Sequence, residues 1–278
     1  MVLAWPLLRP RHRLWSAFAA LCCVAASAGL VGRASASAWN RAAGDGLAIF
    51  DFTMGSGTDY FNGRGRLAPA RSYSKSEIAG YVEYGATDWL MLVARPSLDR
   101  IRIGAPDAGT YAGLGGTAAG AQLHVLDLGP AVLAVQGTFS LPGTTSHRDP
   151  AAIGNTAREG DLRVLGGDGF LLGPLTAFLD AQGSYRIRSS GAAAQWHSDL
   201  TFGVYPMPRL LMLLQSVTVI PNGSGTAWLP SARSSKLGLT GVYDLTRAWS
   251  VQLGLFTTVY GRDALRERGV TTGLWYRF

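Results

Sequence analysis

Apolar residues recur at every second position in one segment of this chain after another. Over residues 48–54 the even positions are Ala48, Phe50, Phe52 and Met54, with Asp51 and Thr53 between them. Ile78, Val82 and Tyr84 share one parity, and Glu77 and Glu83 the other. Leu175, Ala177, Leu179, Ala181, Tyr185 and Ile187 alternate with Thr176, Asp180, Gln182, Ser184, Arg186 and Arg188. Trp249, Val251, Leu253, Leu255 and Val259 alternate with Ser250, Gln252 and Thr258. A period of two is that of a strand with one apolar and one polar face. Two stretches are less regular. Residues 210–214 are apolar on both parities, and Asp168 shares the parity of Leu162 and Val164. A bulge or a border position is the expected cause of each.

A second rhythm separates these segments. Short turns are expected at 85–88, 127–130, 172–174, 206–208 and 244–247, and longer loops at 56–72, 97–111, 142–159, 188–194, 221–232 and 261–267. Five turns and six loops connect about twelve strands. The pattern predicts an all-β chain, a transmembrane antiparallel up-and-down β-barrel with both termini in the periplasm. Loop 56–72, with Arg64, Arg66, Arg71 and Lys75 in or beside it, is expected to fold inward as a constriction. The last strand places Val270, Thr272, Leu274, Tyr276 and Phe278 on one face. Trp39, Tyr84, Trp89, Tyr205, Trp249, Trp275 and Tyr276 are expected at the membrane borders, where amphipathic rings anchor a barrel.

Composition agrees with a membrane location reached through strands. Only 15% of the residues are charged, against about a quarter in soluble domains. The one long uncharged apolar run lies between Leu14 and Gly32, behind Arg9, Arg11 and Arg13 and ahead of two overlapping Ala-Ser-Ala sites. That is the layout of a cleavable signal peptide, expected to occupy 1–38, with the barrel at 39–278; cleavage after Ala38 is favoured, with Ala36 the alternative. Both cysteines, Cys22 and Cys23, fall in the signal, so the mature chain holds no disulfide. Without the four signal arginines, 21 basic residues face 18 acidic ones, a balance that gives no reason to expect nucleic-acid binding.

No metal-ligand cluster, cofactor loop or nucleophile motif stands in a usable context, so neither a catalytic residue, a metal nor a cofactor is expected. His124 and His197 lie on the polar parity of their strands. Within His197-Ser198-Asp199 the histidine and serine point to opposite faces, a poor start for a nucleophile–base pair. Charges at membrane depth are expected to face the lumen. Asp51, Glu77, Glu83, Arg95, Arg163, Asp180, Arg186, Arg188, His197, Asp199 and Lys236 form that inward set. Arg163, Arg186 and Arg188 are expected to attract anionic solute. A porin-like channel for small polar or anionic solutes is the leading reading. A phospholipase-like barrel hydrolase and a structural or adhesive barrel with a filled lumen are the alternatives.

The aromatic end at Tyr276 and Phe278 resembles the signal by which outer-membrane barrels are handed to the barrel-assembly machinery. Ala38-Trp39, Gly44-Asp45-Gly46 and the run Tyr81-Val82-Glu83-Tyr84-Gly85-Ala86-Thr87-Asp88-Trp89-Leu90 resemble the XagA-like outer-membrane β-barrel proteins. They are similar also to the broader group of barrel transporters that includes the phenol-degradation type. The likeness is specific over residues 38 to 98 and architectural beyond. It implies outer-membrane lipid as surroundings and an association with polysaccharide-export components, and it carries no catalytic residue.

Overall fold

The computed structural model describes residues 37–278 apart from Asp107 and residues 145–150, 153–155 and 226–230. All but the last two residues of the expected signal lie outside the described residues. The strands are β1 (Gly46–Phe61), β2 (Leu67–Gly85), β3 in two segments (Leu90–Arg95 and Ser97–Ile103) and β4 in two segments (Gly109–Leu114 and Thr117–Leu128). Then follow β5 (Ala131–Leu141), β6 (Glu159–Leu172), β7 (Leu175–Arg188), β8 (Ala194–Met207) and β9 (Leu210–Asn222). β10 (Arg233–Asp244), β11 (Trp249–Arg262) and β12 (Arg268–Arg277) complete the wall, with the two-residue segment Ala264–Leu265 between the last two.

Each strand pairs antiparallel with the next, and β1 pairs with both β2 and β12, so the sheet closes on itself. Closure removes the edges whose backbone groups lipid cannot satisfy. At the seam Gly46 and Phe278 exchange both backbone hydrogen bonds, at 2.7 and 3.1 Å. A Cβ at Gly46 would meet the Phe278 ring, which packs over the glycine in this arrangement. Trp249, Tyr276 and Phe278 stack in series along this border, with centroids 4.5 and 5.8 Å apart.

The outward parity is the apolar one. Phe50, Ile78, Leu98, Phe139, Leu162, Leu239 and Leu253 are all exposed on the barrel's outside. On β11 the outward residues run from Trp249 through Val251, Leu253 and Leu255 to Thr257. At about 3.4 Å per residue and a tilt of about 40° this is a band of roughly 20 Å, close to that of outer-membrane barrels. Leu253 is its centre and 65% exposed. Leu253→Arg is therefore expected to lower folding stability in bilayers by about 2–4 kcal/mol, and Thr257→Arg by no more than about 1. Urea titration in lipid vesicles measures both.

The register of β8 on β9 shifts between Val204 and Met207, beside the first irregular stretch, whereas β6 pairs through Asp168 without a shift. Leu211 and Leu213 point inward into an apolar cluster, while Leu214 faces outward. Asp168 does face outward, beside Leu179, one turn's length from the Gly173–Pro174 connection and so near the end of the wall.

Two expected loops are mostly strand. β1 and β2 meet across residues 62–66 alone, and β3 and β4 across residues 104–108, so neither 56–72 nor 97–111 is a long loop. No constriction loop forms at 56–72; its outer halves pair as Asp59 with Pro69 and Phe61 with Leu67. Gly and Ser content suggested a loop, but alternation continues through it. At 16 and 19 residues, β1 and β2 exceed the 9–11 needed to span a bilayer. The first four strands thus rise beyond the membrane at the long-loop end.

Candidate functional site

Inward residues divide the lumen into two tiers. At the short-turn end Leu47, Ile49, Phe178, Leu211, Leu213, Val242 and Trp275 form a buried apolar cluster, with Trp39, Tyr81 and Tyr205 packed against it. Trp275 is 2% exposed. Trp39, Tyr205 and Trp275 were expected at the membrane border and are instead inside. For Trp275 the parity of its own strand foretold this, since Leu274 and Tyr276 face out.

The chain before β1 enters this tier. Gly44, at φ 86°, reverses its direction, and the turn is held by Asp45 N–H to Ala42 C=O (3.0 Å) and Gly44 N–H to Gly85 C=O (2.8 Å). Residues 37–41 then run into the lumen, where Ser37, Ala38, Asn40 and Arg41 are buried. Ala38 N–H donates to Asp180 Oδ2 (2.7 Å). The Gln122 amide donates to Ser37 C=O and to Asn40 Oδ1, both at 3.0 Å. Arg41 Nε donates to Glu83 Oε2 (2.7 Å), and the Tyr81 hydroxyl donates to Glu83 Oε1 (3.0 Å). Trp39 meets Phe178 edge-on, centroids 5.9 Å apart. Gly85 and Gly167 leave the room: a Cβ would strike the Arg41 and Ala42 carbonyls at the first and the Trp39 ring at the second. The segment is an internal stopper made by the chain itself.

Toward the long-loop end the lumen opens into a cavity of about 560 Å3. One wall is a lattice of ion pairs. Arg163 bonds Asp199 (2.7 Å) and approaches Asp161 (3.5 Å); Arg186 bonds Asp161 (3.1 Å) and Glu159 (3.2 Å); Arg188 bonds Glu159 (2.8 Å). The facing wall carries Lys75 on Glu77 (2.6 Å) and Asp99 (3.1 Å), and Arg95 on Glu77 (3.2 Å). The tiers are joined. Arg163 donates to Gln182 Oε1 (2.6 Å), whose amide donates to Asp180 Oδ1 (2.6 Å), the acceptor of the Ala38 amide.

The candidate residues thus fall into separate groups. Arg163, Arg186, Arg188 and Asp199 share one lattice, Asp180 and Glu83 hold the stopper, and Glu77 belongs to the opposite wall. Lys236 pairs with Glu267 (2.5 Å) and stands 5.6 Å from the Phe256 ring centre. His197 contacts Gln195 (3.2 Å) on the lumen side, and His124 contacts Asp127 (3.1 Å). Sequence reasoning missed Glu159, Asp161, Gln122 and the stopper. Glu159 and Asp161 lay at the edge of an assumed loop, yet both share the parity of Arg163.

No family model matches the chain, and no curated protein matches it by sequence. Solved structures do match it. An outer membrane channel from Pseudomonas putida F1 aligns with a TM-score of 0.73 at 14% identity, over 88% of this chain and 100% of that one. The translocator domain of the autotransporter NalP from Neisseria meningitidis aligns at 0.54 with 12% identity, over 86% and 90%. At such identities the likeness is one of fold, that of outer-membrane barrels. Twelve-strand closure, the outward apolar band and its aromatic border place the chain in the outer membrane of a Gram-negative bacterium.

Proposed function

We propose that the chain is a channel for small polar solutes, closed at its short-turn end by residues 37–43. The stopper carries this reading. It is held by hydrogen bonds, one ion pair and one aromatic contact, attachments that can be broken without unfolding the wall. A cavity of about 560 Å3 is the size of small-molecule sites, roughly 300–1,000 Å3. It is small for a polymer, which disfavours the polysaccharide-export role implied by the XagA-like resemblance of residues 38–98. A hydrolase reading finds little support, because His197 turns inward while Ser198 lies on the other parity of β8.

Single-channel recording of the refolded mature barrel, with and without the stopper, is the test. A barrel silent in both forms overturns the channel and favours the filled lumen, since the apolar cluster would then close it alone.

The stopper also bears on processing. Cleavage after Ala38 would discard the Ala38 amide on Asp180 and the Ser37 carbonyl on Gln122, leaving a buried carboxylate short of a donor. We expect the mature chain to start at Ser37, by cleavage after Ala36. Intact-mass measurement of the protein from outer membranes decides it, and a chain starting at Trp39 would contradict the expectation.

A further inference from the structure

We infer a binding site for the phosphate groups of an outer-leaflet glycolipid on the outside of the barrel, at the long-loop end of β1–β4, β11 and β12. The inference is independent of the channel, because it concerns the opposite face of the wall.

Cross-strand register orders the outward residues into rows. One row runs Leu114, Leu98, Ile78, Phe52 across β4, β3, β2 and β1, and is apolar. The next is mixed: Ala112, Arg100, Ser76, Met54, Val270, Leu255. The row beyond reads Thr110, Arg102, Ser74, Ser56, Arg268, Thr257 across six strands, and every member is polar. The wall changes from lipid-compatible to basic and hydroxylic within two rows, at the level where the hydrocarbon ends.

Parity settles the direction of the arginines. On β3, Ser97, Asp99 and Ile101 are buried inside, while Leu98, Arg100 and Arg102 are exposed outside. Arg268 is exposed and alternates with inward Gly269. None of these three arginines has an ion-pair partner among the described residues. Of the acids on these strands, Asp51, Asp59, Glu77, Glu83 and Asp99 have the opposite parity, and Asp127 lies far off at the short-turn end of β4. Arg102 and Arg268 are separated by three strand intervals, about 14 Å at about 4.8 Å each, with only Ser74 and Ser56 between them. Small hydroxyl side chains there leave the guanidiniums accessible and can donate to anionic oxygens. Two cationic sites set apart along a shallow hydroxyl-lined strip fit a headgroup that carries more than one phosphate. Arginine suits this because its planar fork meets phosphate oxygens in pairs.

Such a headgroup with acyl chains would lay those chains against the row of Leu98, Ile78 and Phe52 just below. A free phosphate would gain nothing from that row. With the long loops on the cell exterior, as in barrels of this kind, the leaflet concerned is the outer one.

The experiment uses the mature barrel refolded in detergent micelles, its folding checked by heat-dependent migration. Binding of diphosphorylated lipid A, dephosphorylated lipid A and phosphatidylglycerol is titrated by native mass spectrometry. Diphosphorylated lipid A is expected to bind the unaltered barrel, more weakly as salt rises. Arg100→Gln, Arg102→Gln and Arg268→Gln together should weaken it by about 100-fold, and each alone by about fivefold. Arg209→Gln, the same charge loss at the short-turn end, should leave it unchanged. Equal binding of dephosphorylated lipid A, or a triple variant that binds like the parent, overturns the site. Phosphatidylglycerol bound as tightly as diphosphorylated lipid A overturns the assignment to a glycolipid.

Discussion

A mature barrel lacking residues 37–43 is expected to conduct steadily, where the complete chain is mostly closed. The removed segment occupies the lumen at the level of the apolar cluster, and its Ser37 and Arg41 are buried there. Its loss leaves Gln122, Asp180 and Glu83 facing a water-accessible path. Time-averaged conductance in a planar bilayer should rise by at least about tenfold. A finer variant separates loss of the segment from loss of its grip. Glu83 is fully buried and receives Arg41 Nε at 2.7 Å. Removing one partner of a buried ion pair destabilises the state that holds the pair, by up to about 3–5 kcal/mol, although Glu83 keeps the Tyr81 hydroxyl. In Arg41→Met the barrel escapes that cost if the segment leaves and water reaches Glu83. The open population should then rise by about two orders of magnitude, without any change in the wall. Cysteine-free chemistry provides an independent readout. Because residues 37–278 contain no cysteine, a single Asn40→Cys in a barrel of those residues would report release of the segment through its rate of labelling.

Strand alternation made the wall legible in the sequence, and physics explains where it failed. Lipid imposes its demand on the outer face alone, so Phe50, Phe52, Leu98 and Leu253 betray their direction. The inner face answers to whatever fills the lumen. Phe178 and Leu213 face inward because the chain supplies its own apolar filling at that level; Phe178 shares the inward parity of Thr176 and Asp180, whereas residues 210–214 are apolar on both parities and carry no such sign for Leu213. Aromatic type was a poor guide for the same reason: Trp249 and Tyr276 border the membrane, whereas Trp39 and Trp275 lie in the lumen. The loops at 56–72 and 97–111 were misjudged because Gly, Ser and Pro were read as turn chemistry. The strands outrun the bilayer there, where no lipid demands large apolar residues, and Ser56, Ser74 and Arg102 serve as well. The stopper had a faint mark. Asn40 and Arg41 follow Trp39 directly, a polar pair ahead of the first strand, and the partners Glu83 and Gln122 are distant in sequence.

Charge selectivity of the opened barrel should depend on the three carboxylates that hold three arginines in balance. Arg163, Arg186 and Arg188 look in the sequence like an anion-attracting cluster, but each is bonded to Glu159, Asp161 or Asp199. Three positive and three negative charges within one lattice nearly cancel beyond a Debye length of about 8 Å at physiological salt. The barrel without its stopper is accordingly expected to be weakly selective. Changing Glu159→Gln with Asp161→Asn leaves the arginines opposed by Asp199 alone, a net change of two charges on a wall of the cavity. The anion-to-cation permeability ratio should rise several-fold, read as a shift of reversal potential under a potassium chloride gradient. Arg163→Gln with Arg186→Gln should shift it in the opposite direction, and high salt should suppress both. If neither pair moves the reversal potential while conductance persists, permeating ions do not pass this wall, and the anion preference expected of Arg163, Arg186 and Arg188 has no basis. Opposite shifts would locate the ion path along β6 and β7, over the same side chains that reach Asp180 and the stopper through Gln182.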